Sequence, residues 1–207
     1  MVSGEADKRG RRFIFCGNFR TNMTDTKEEL RQLIARRAYK KDSHFKTPSR
    51  IVEAYFDFLE VSLKHQGVQL AGDLLYEEIK DLDICALGGP GHGIVSVICR
   101  AAFLKEIGVF YIRESTKTVG DLHDPRWLES RIKEGDRVVL VADVVLSGSL
   151  VIRAIEEVMQ FGAVVVKIVI LIDSQDGAGV DKIRQFLATN MMDIPVAVIF
   201  TREQILG

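Results

Sequence analysis

Cysteine is scarce. Cys16, Cys85 and Cys99 are odd in number, far apart and without a C-x-x-C pair. Such a set excludes a disulfide framework and a zinc knuckle, and it fits a reducing, cytoplasmic setting. The four histidines are scattered with no H-x-x-x-H spacing, so no transition-metal site is encoded. An excess of charge of one sign is also lacking: 28 Lys and Arg stand against 29 Asp and Glu, a net charge of −1. No global field therefore draws a nucleic acid or an anionic membrane, and no helix-turn-helix extension is visible. The local cluster Arg36, Arg37, Lys40, Lys41 reads as a solvated face. Long apolar runs are missing near the start, where "FIFC" is too short for a signal-peptide core or a membrane span. Residues 1–25 read instead as an extension whose Phe13 and Phe15 are expected to pack on the body. Repeats, a G-x-x-x-x-G-K-S/T loop and a G-x-G-x-x-G helix start are all absent, which removes the mononucleotide P-loop and the dinucleotide-binding fingerprint.

What is present is an ordinary apolar budget, 47% hydrophobic residues in a chain of 207, enough for one α/β domain and a small subdomain. In "TDTKEELRQLIARRAYKK", Thr26 and Glu29 have capping-box spacing, and Leu30, Leu33, Ile34 and Ala38 follow at helical intervals. "SRIVEAYFDFLEVSLKHQG" fits either period; its aromatic and β-branched content leans to strand. "GVQLAGDLLYEEIK" places Val68, Ala71, Leu75 and Ile79 on one helical face. From residue 83 the order is regular. "DICALGG" reads as a strand, and "GIVSVICRAAFLKEIG" as a helix with Ile94, Val97, Ile98 and Ala101 inward and Gly108 as its stop. "VFYIRE" is a strand followed by a long polar excursion, then come the strand "RVVLVAD", the helix "SGSLVIRAIEEVMQFG" and the strand "VVVKIVILID". The helix "VDKIRQFLATN" and the strand "PVAVIF" close the series. Strands alternating with helices predict a mostly parallel sheet covered on both faces.

Ligands of such sheets bind outside the carboxyl ends of the strands. Three segments fall there: "LGGPGHG" (87–93), the excursion 113–130 and "DVVLSGS" (143–149). In the last, Ser147, Gly148 and Ser149 precede a helix whose free N–H groups and dipole favour an anion. The same serines also suit a plain N-cap. Asp143 ends the strand, placed for sugar hydroxyls or a metal ion. Four glycines in "LGGPGHG" exceed what a connecting turn needs and suit N–H groups presented to a diphosphate. Arg113 and Lys117 lie in an excursion of lid length.

Taken together, these segments resemble the type I phosphoribosyltransferases, most closely the orotate phosphoribosyltransferases. The family signature of two acids, two apolar residues and T-T-G-x-T lies over "ADVVLSGSL", Ala142 to Leu150. "FKTPSR" and "YFD" (45–57) resemble its F-x-L-x-S-G and Y-x-D segment. "GGPGHGIVSV" resembles its diphosphate loop, and "RESTKTVG" with "LES" its mobile catalytic loop. "VILIDSQDGA" and "FTREQIL" keep the family's rhythm, so the likeness covers roughly residues 27 to 207. The resemblance implies an α/β fold: a mostly parallel sheet flanked by helices, with a small N-terminal hood (roughly 26–66) on a core (roughly 67–207). It implies transfer of ribose 5-phosphate from phosphoribosyl diphosphate to orotate with Mg²⁺, in a homodimer. Catalysis in such a reaction is mainly positioning plus stabilisation of the leaving charge. Carried over residue by residue, Ser147, Gly148, Ser149 and Leu150 would hold the 5-phosphate and Asp143 the ribose hydroxyls. Gly88, Gly89, Gly91, His92 and Gly93 would bind diphosphate and Mg²⁺. Arg113 and Lys117 would reach the diphosphate from the partner subunit. Lys41 and Phe45 would border the base.

The departures from the family pattern concentrate in these motifs. Ala142 stands for the first acid, Leu146 and Leu150 for two hydroxyl residues, Glu114 for a lysine and Val119 for a histidine. Arg50 and His92 replace glycines. Three functions therefore follow as expectations: an orotate-type transferase of altered activity, a non-catalytic sensor of phosphoribosyl diphosphate or a nucleotide, and a structural partner of an active relative.

Overall fold

A computed structural model describes residues 22–41, 45–46, 51–52, 54–113, 117–119, 122–124, 128–129 and 131–207. The extension with Phe13 and Phe15, the Ser49–Arg50 step and Glu114 lie outside the described residues. In chain order the elements are α1 (Met23–Arg37), β1 (Tyr39–Lys40), β2 (Phe45–Lys46), β3 (Ile51–Val52), β4 (Tyr55–Phe56), α2 (Leu59–Ser62) and α3 (His65–Ile79). Then follow β5 (Ala86–Pro90), α4 (Val95–Lys105), β6 (Gly108–Ile112), β7 (Lys117–Val119), β8 (Leu122–Asp124) and β9 (Leu128–Glu129). The last are β10 (Arg137–Val145), α5 (Ser149–Gln160), β11 (Val164–Asp173), α6 (Gly179–Thr189), β12 (Val196–Thr201) and α7 (Arg202–Leu206).

The main sheet runs β12-β11-β10-β5-β6-β9, its first five strands parallel and β9 antiparallel to β6. Its central strands are apolar on both sides because both faces are covered. Along β10, Val139 and Val141 join the core cluster under α1, α3 and α4, while Val138, Leu140, Ala142 and Val145 join the one under α5 and α6. From Val138 to Ala142 this period of two divides a continuous apolar run between two cores, and past Asp143 the phase shifts, with Val144 on the first core and Val145 on the second. The covering helices show the matching period: Val151, Ala154, Ile155 and Val158 are the buried residues of α5. Chain order reverses between β5 and β10, so the turns leaving these neighbours open on one crevice. Three ribbons of two short strands stand apart from the sheet: β1 with β4, β2 with β3, and β7 with β8.

Several expectations need correction. Asn22, not Thr26, caps α1: its side chain accepts from Thr24 N, while Thr26 is buried inside the first turn with its hydroxyl on Asn22 O at 3.4 Å. A capping box does occur, at Thr201 and Gln204 on α7, a helix that its short apolar pattern did not announce. Gly108 does not stop α4. Glu106 does, in the left-handed conformation with φ 60°, and Gly108 instead opens β6. The ambiguous stretch resolves into both forms, strands β3 and β4 and then helix α2. The polar excursion, read as an excursion of lid length, carries β7, β8 and β9 among its described residues.

Candidate functional site

The crevice at the carboxyl ends of β5 and β10 collects the chemistry. β10 ends in Val145, and Leu146, Ser147 and Gly148 turn the chain into α5. Gly148 is required twice over: its φ is +77°, and a Cβ there would stand 2.5 Å from Gly179 O. Gly148 is also the N-cap of α5 and supplies no side-chain acceptor. The serines do not cap either; Ser147 Oγ and Ser149 Oγ bond each other at 2.9 Å. The N-cap alternative for these serines is therefore not realised. Two exposed hydroxyls and a helix N-terminus share one turn, a geometry suited to a phosphate. Leu150 adjoins them, exposed and without a hydroxyl.

Asp143 is half-buried two residues before the end of β10, with Oδ1 accepting from Val144 N at 2.8 Å. Its Oδ2 would lie 2.1 Å from a Cβ on Gly93. That single approach brings the phosphate-turn strand and the glycine-rich turn together. Within the latter, Gly91 (φ +87°), exposed His92 and buried Gly93 form the turn proper. His92 Nε2 lies 3.4 Å from Tyr111 Oη on β6. Gly88 and Gly89, expected in the turn, lie inside β5. A Cβ at Gly88 would strike the Phe110 ring at 2.3 Å, and one at Gly89 would strike Val141 O at 1.8 Å. Their glycine identity thus follows from strand packing, which no local spacing reveals.

The remaining candidates are placed by the elements that carry them. Arg113 directly follows β6, half-buried, with Nε and Nη1 shielded from solvent. Lys117 lies in the β7–β8 ribbon and Phe45 in the β2–β3 ribbon, while exposed Lys41 follows β1. Ala142 is buried among the apolar residues facing α5. Sequence reasoning missed one polar group here: Arg202 of α7 bonds Asp176 of the β11–α6 turn and Tyr39 of β1. No spacing could have signalled it, since Arg202 and Tyr39 are 163 residues apart. A separate cavity of about 560 Å³ lies between α1 and α3 over Ile199 and Phe200 and includes none of these residues. Among the described residues no group of three or more His, Cys, Asp or Glu could hold a metal ion. Among them, too, no helix is long and apolar enough to cross a membrane.

No family model matches the chain. Individual relatives do. It is 31% identical over 155 residues to the orotate phosphoribosyltransferase of Pyrococcus abyssi, covering 73% of this chain and 84% of that one. To the orotate phosphoribosyltransferase of Methanocaldococcus jannaschii it is 28% identical over 124 residues, 60% of this chain and 68% of the other. Among solved structures, the orotate phosphoribosyltransferase of Mycobacterium tuberculosis in complex with 5-phospho-α-D-ribosyl 1-diphosphate superposes with a TM-score of 0.63 at 20% identity, over 87% of this chain and 98% of that one.

Proposed function

The chain belongs to the orotate phosphoribosyltransferase family, and from this we propose that it takes phosphoribosyl diphosphate and transfers ribose 5-phosphate to orotate, a step of pyrimidine nucleotide synthesis in the cytoplasm. The bond from the anomeric carbon to the diphosphate breaks, the diphosphate keeps the electron pair, and the base nitrogen forms the new bond and gives up its proton. The observation that carries the proposal is the uncapped phosphate turn, where Ser147 and Ser149 hydroxyls meet the N-terminus of α5 beside Asp143. In this reading Ser147 to Leu150 hold the 5-phosphate through backbone N–H groups and hydroxyls. Asp143 takes the ribose hydroxyls, and Gly91 to Gly93 take the diphosphate. Arg113 and Lys117 neutralise the leaving charge across a homodimer, and Lys41 and Phe45 border the base under a hood built from the N-terminal ribbons. A Mg²⁺ ion needs only one or two protein carboxylates when substrate phosphates supply its other ligands, and Asp143 suits that role. When bound, the ion screens the charge of the diphosphate.

The departures bear on rate. A carboxylate at residue 114 in place of a cation changes attraction into repulsion, worth on the order of 4 kcal/mol per contact at 4 Å and an effective dielectric near 20. Leu150 removes a hydroxyl donor from the phosphate turn, and one lost donor typically costs about a hundredfold in rate. These losses favour a second reading, a protein that binds the sugar phosphate as a sensor or as the partner of an active relative. Orotate consumption with phosphoribosyl diphosphate and Mg²⁺, at high protein concentration, separates the two. Turnover that falls on the order of a hundredfold in Lys117→Ala supports the transferase. Ligand binding without turnover supports the sensor, and neither supports the structural partner.

A further inference from the structure

A second polar cluster adjoins the phosphate turn. Arg202 opens α7 directly after β12. Its Nη1 donates to Asp176 Oδ1 in a close ion pair, and its Nη2 donates to Tyr39 Oη at 3.4 Å. The guanidinium also lies 5.9 Å from the centroid of the Tyr39 ring. Asp176 belongs to the β11–α6 turn, which packs against the phosphate turn: a Cβ on Gly177 or Gly179 would meet Leu146 O at 2.3 or 2.4 Å. Tyr39 belongs to β1 and pairs with Phe56 on β4, the two rings tilted by 48° with centroids 5.3 Å apart. An unbroken series of contacts thus runs from the phosphate turn through Asp176 and Arg202 to the β1–β4 ribbon that carries Lys40 and Lys41.

The cluster has the makings of a recognition site. Arg202 and Asp176 keep 31% and 25% of their side-chain surface exposed, so a ligand can reach them. A guanidinium has five N–H donors in a planar fork, and the two contacts employ two of them. Asp176 and Tyr39 hold that fork in one orientation, and a pre-oriented fork matches a carboxylate through two parallel hydrogen bonds. The charges gathered here are Lys40, Lys41 and Arg202 together with Asp176, Glu203, Asp57 and Glu60, the last 3.6 Å from Lys40. Beside them the half-buried Tyr39 ring packs at a tilt of 48° on buried Phe56.

We propose that Arg202, braced by Asp176 and Tyr39, is a specificity-determining residue that reads a carboxylate on the planar base. The inference rests on the transferase reading for the identity of the base, but it does not require turnover. Orotidine 5′-phosphate and uridine 5′-phosphate differ only in that carboxylate, so calorimetric titration of both into the full chain isolates it. Wild type is expected to bind the carboxylated nucleotide on the order of 10- to 100-fold more tightly. Arg202→Gln should erase that preference by weakening orotidine 5′-phosphate alone, and Arg202→Lys, which keeps charge without the fork, should fall between. If Arg202→Gln does not fold, Asp176→Asn takes its place, with a partial loss of the preference expected. Equal weakening of both nucleotides, no change in either, or a wild type without preference would overturn the inference. Preference without turnover would leave it standing while the transferase reading fails. A wild type that binds neither nucleotide would remove the inference, and the turnover assay would then judge the transferase reading by itself.

Discussion

Gly89 and Gly93 sit four residues apart, yet their side-chain hydrogens are kept small by different neighbours. A Cβ at Gly89 would stand 1.8 Å from Val141 O, a backbone atom in the adjacent strand that cannot yield without breaking the β5–β10 ladder. Gly89→Ala is therefore expected to destabilise the fold by about 3 kcal/mol, measured by urea unfolding. A Cβ at Gly93 would meet Asp143 Oδ2, at the far end of a side chain rather than on a backbone. Gly93→Ala should thus change stability by less than about 1 kcal/mol while weakening phosphoribosyl diphosphate on the order of 10-fold, since Asp143 must swing away. An unfolding midpoint that drops as far as that of Gly89→Ala would show the two glycines to be alike. Leu150 allows the opposite experiment. It is 48% exposed beside Ser149, so Leu150→Thr adds a hydroxyl to the phosphate turn without disturbing a core. Binding of inorganic phosphate is expected to tighten about 5-fold, and unchanged affinity would place that position outside the phosphate shell.

Among the elements, α1 illustrates how a helix end is tuned. Glu28 accepts from Arg31 Nε and Nη2 and from Gln32 Nε2, each at 2.8 Å. The Arg31 guanidinium, followed by the Gln32 amide, holds the Glu28 carboxyl down at about 2 from its usual 4.5. A carboxyl depressed in the folded state contributes stability that is present above the unfolded value and is lost as pH falls through the folded one. The contribution of Glu28 is therefore complete above 4.5 and disappears toward about 2. Side-chain NMR should report a Glu28 midpoint near 2 that returns toward 4.5 in Arg31→Gln; an unmoved midpoint would remove Arg31 as the cause. The Thr26 and Glu29 spacing pointed to the wrong start for this helix because a capping-box pattern is satisfied wherever the residues fall. What decided the start was Thr26 becoming buried, which left Asn22 to face the open N–H groups. α5 makes the complementary case: with Gly148 as N-cap and the serines bonded to each other, its first turn is left open to an anion.

For the whole molecule, strand order joins these parts into one site. The chain reverses direction across the sheet between β5 and β10, so two turns far apart in sequence meet through Asp143 and Gly93. A ligand that spans both turns binds only the folded state. At a hundred times its dissociation constant it stabilises that state by about 2.7 kcal/mol. For a domain of this size that raises the unfolding midpoint by about 5–10 °C. Thermal unfolding with phosphoribosyl diphosphate should show this shift, and uracil alone should not; a flat response to phosphoribosyl diphosphate would mean that the crevice no longer takes the sugar phosphate.

The sequence by itself determined the alternation of strands and helices, the two-sided burial of β10 and β11, and the placing of Asp143 and Ser147 to Ser149 at a strand end. Those features are written in local periods of two and 3.6 residues, which any short window of the chain contains. Tertiary structure alone decided that Gly88 and Gly89 serve strand packing, because Phe110 and Val141 reach them only after β6 and β10 have flanked β5. It also decided that Glu106 rather than Gly108 ends α4, and that Arg202, Asp176 and Tyr39 meet at all. Contacts between residues so far apart depend on which strand lies beside which, and that order is settled by packing the two cores rather than by any pattern along the chain.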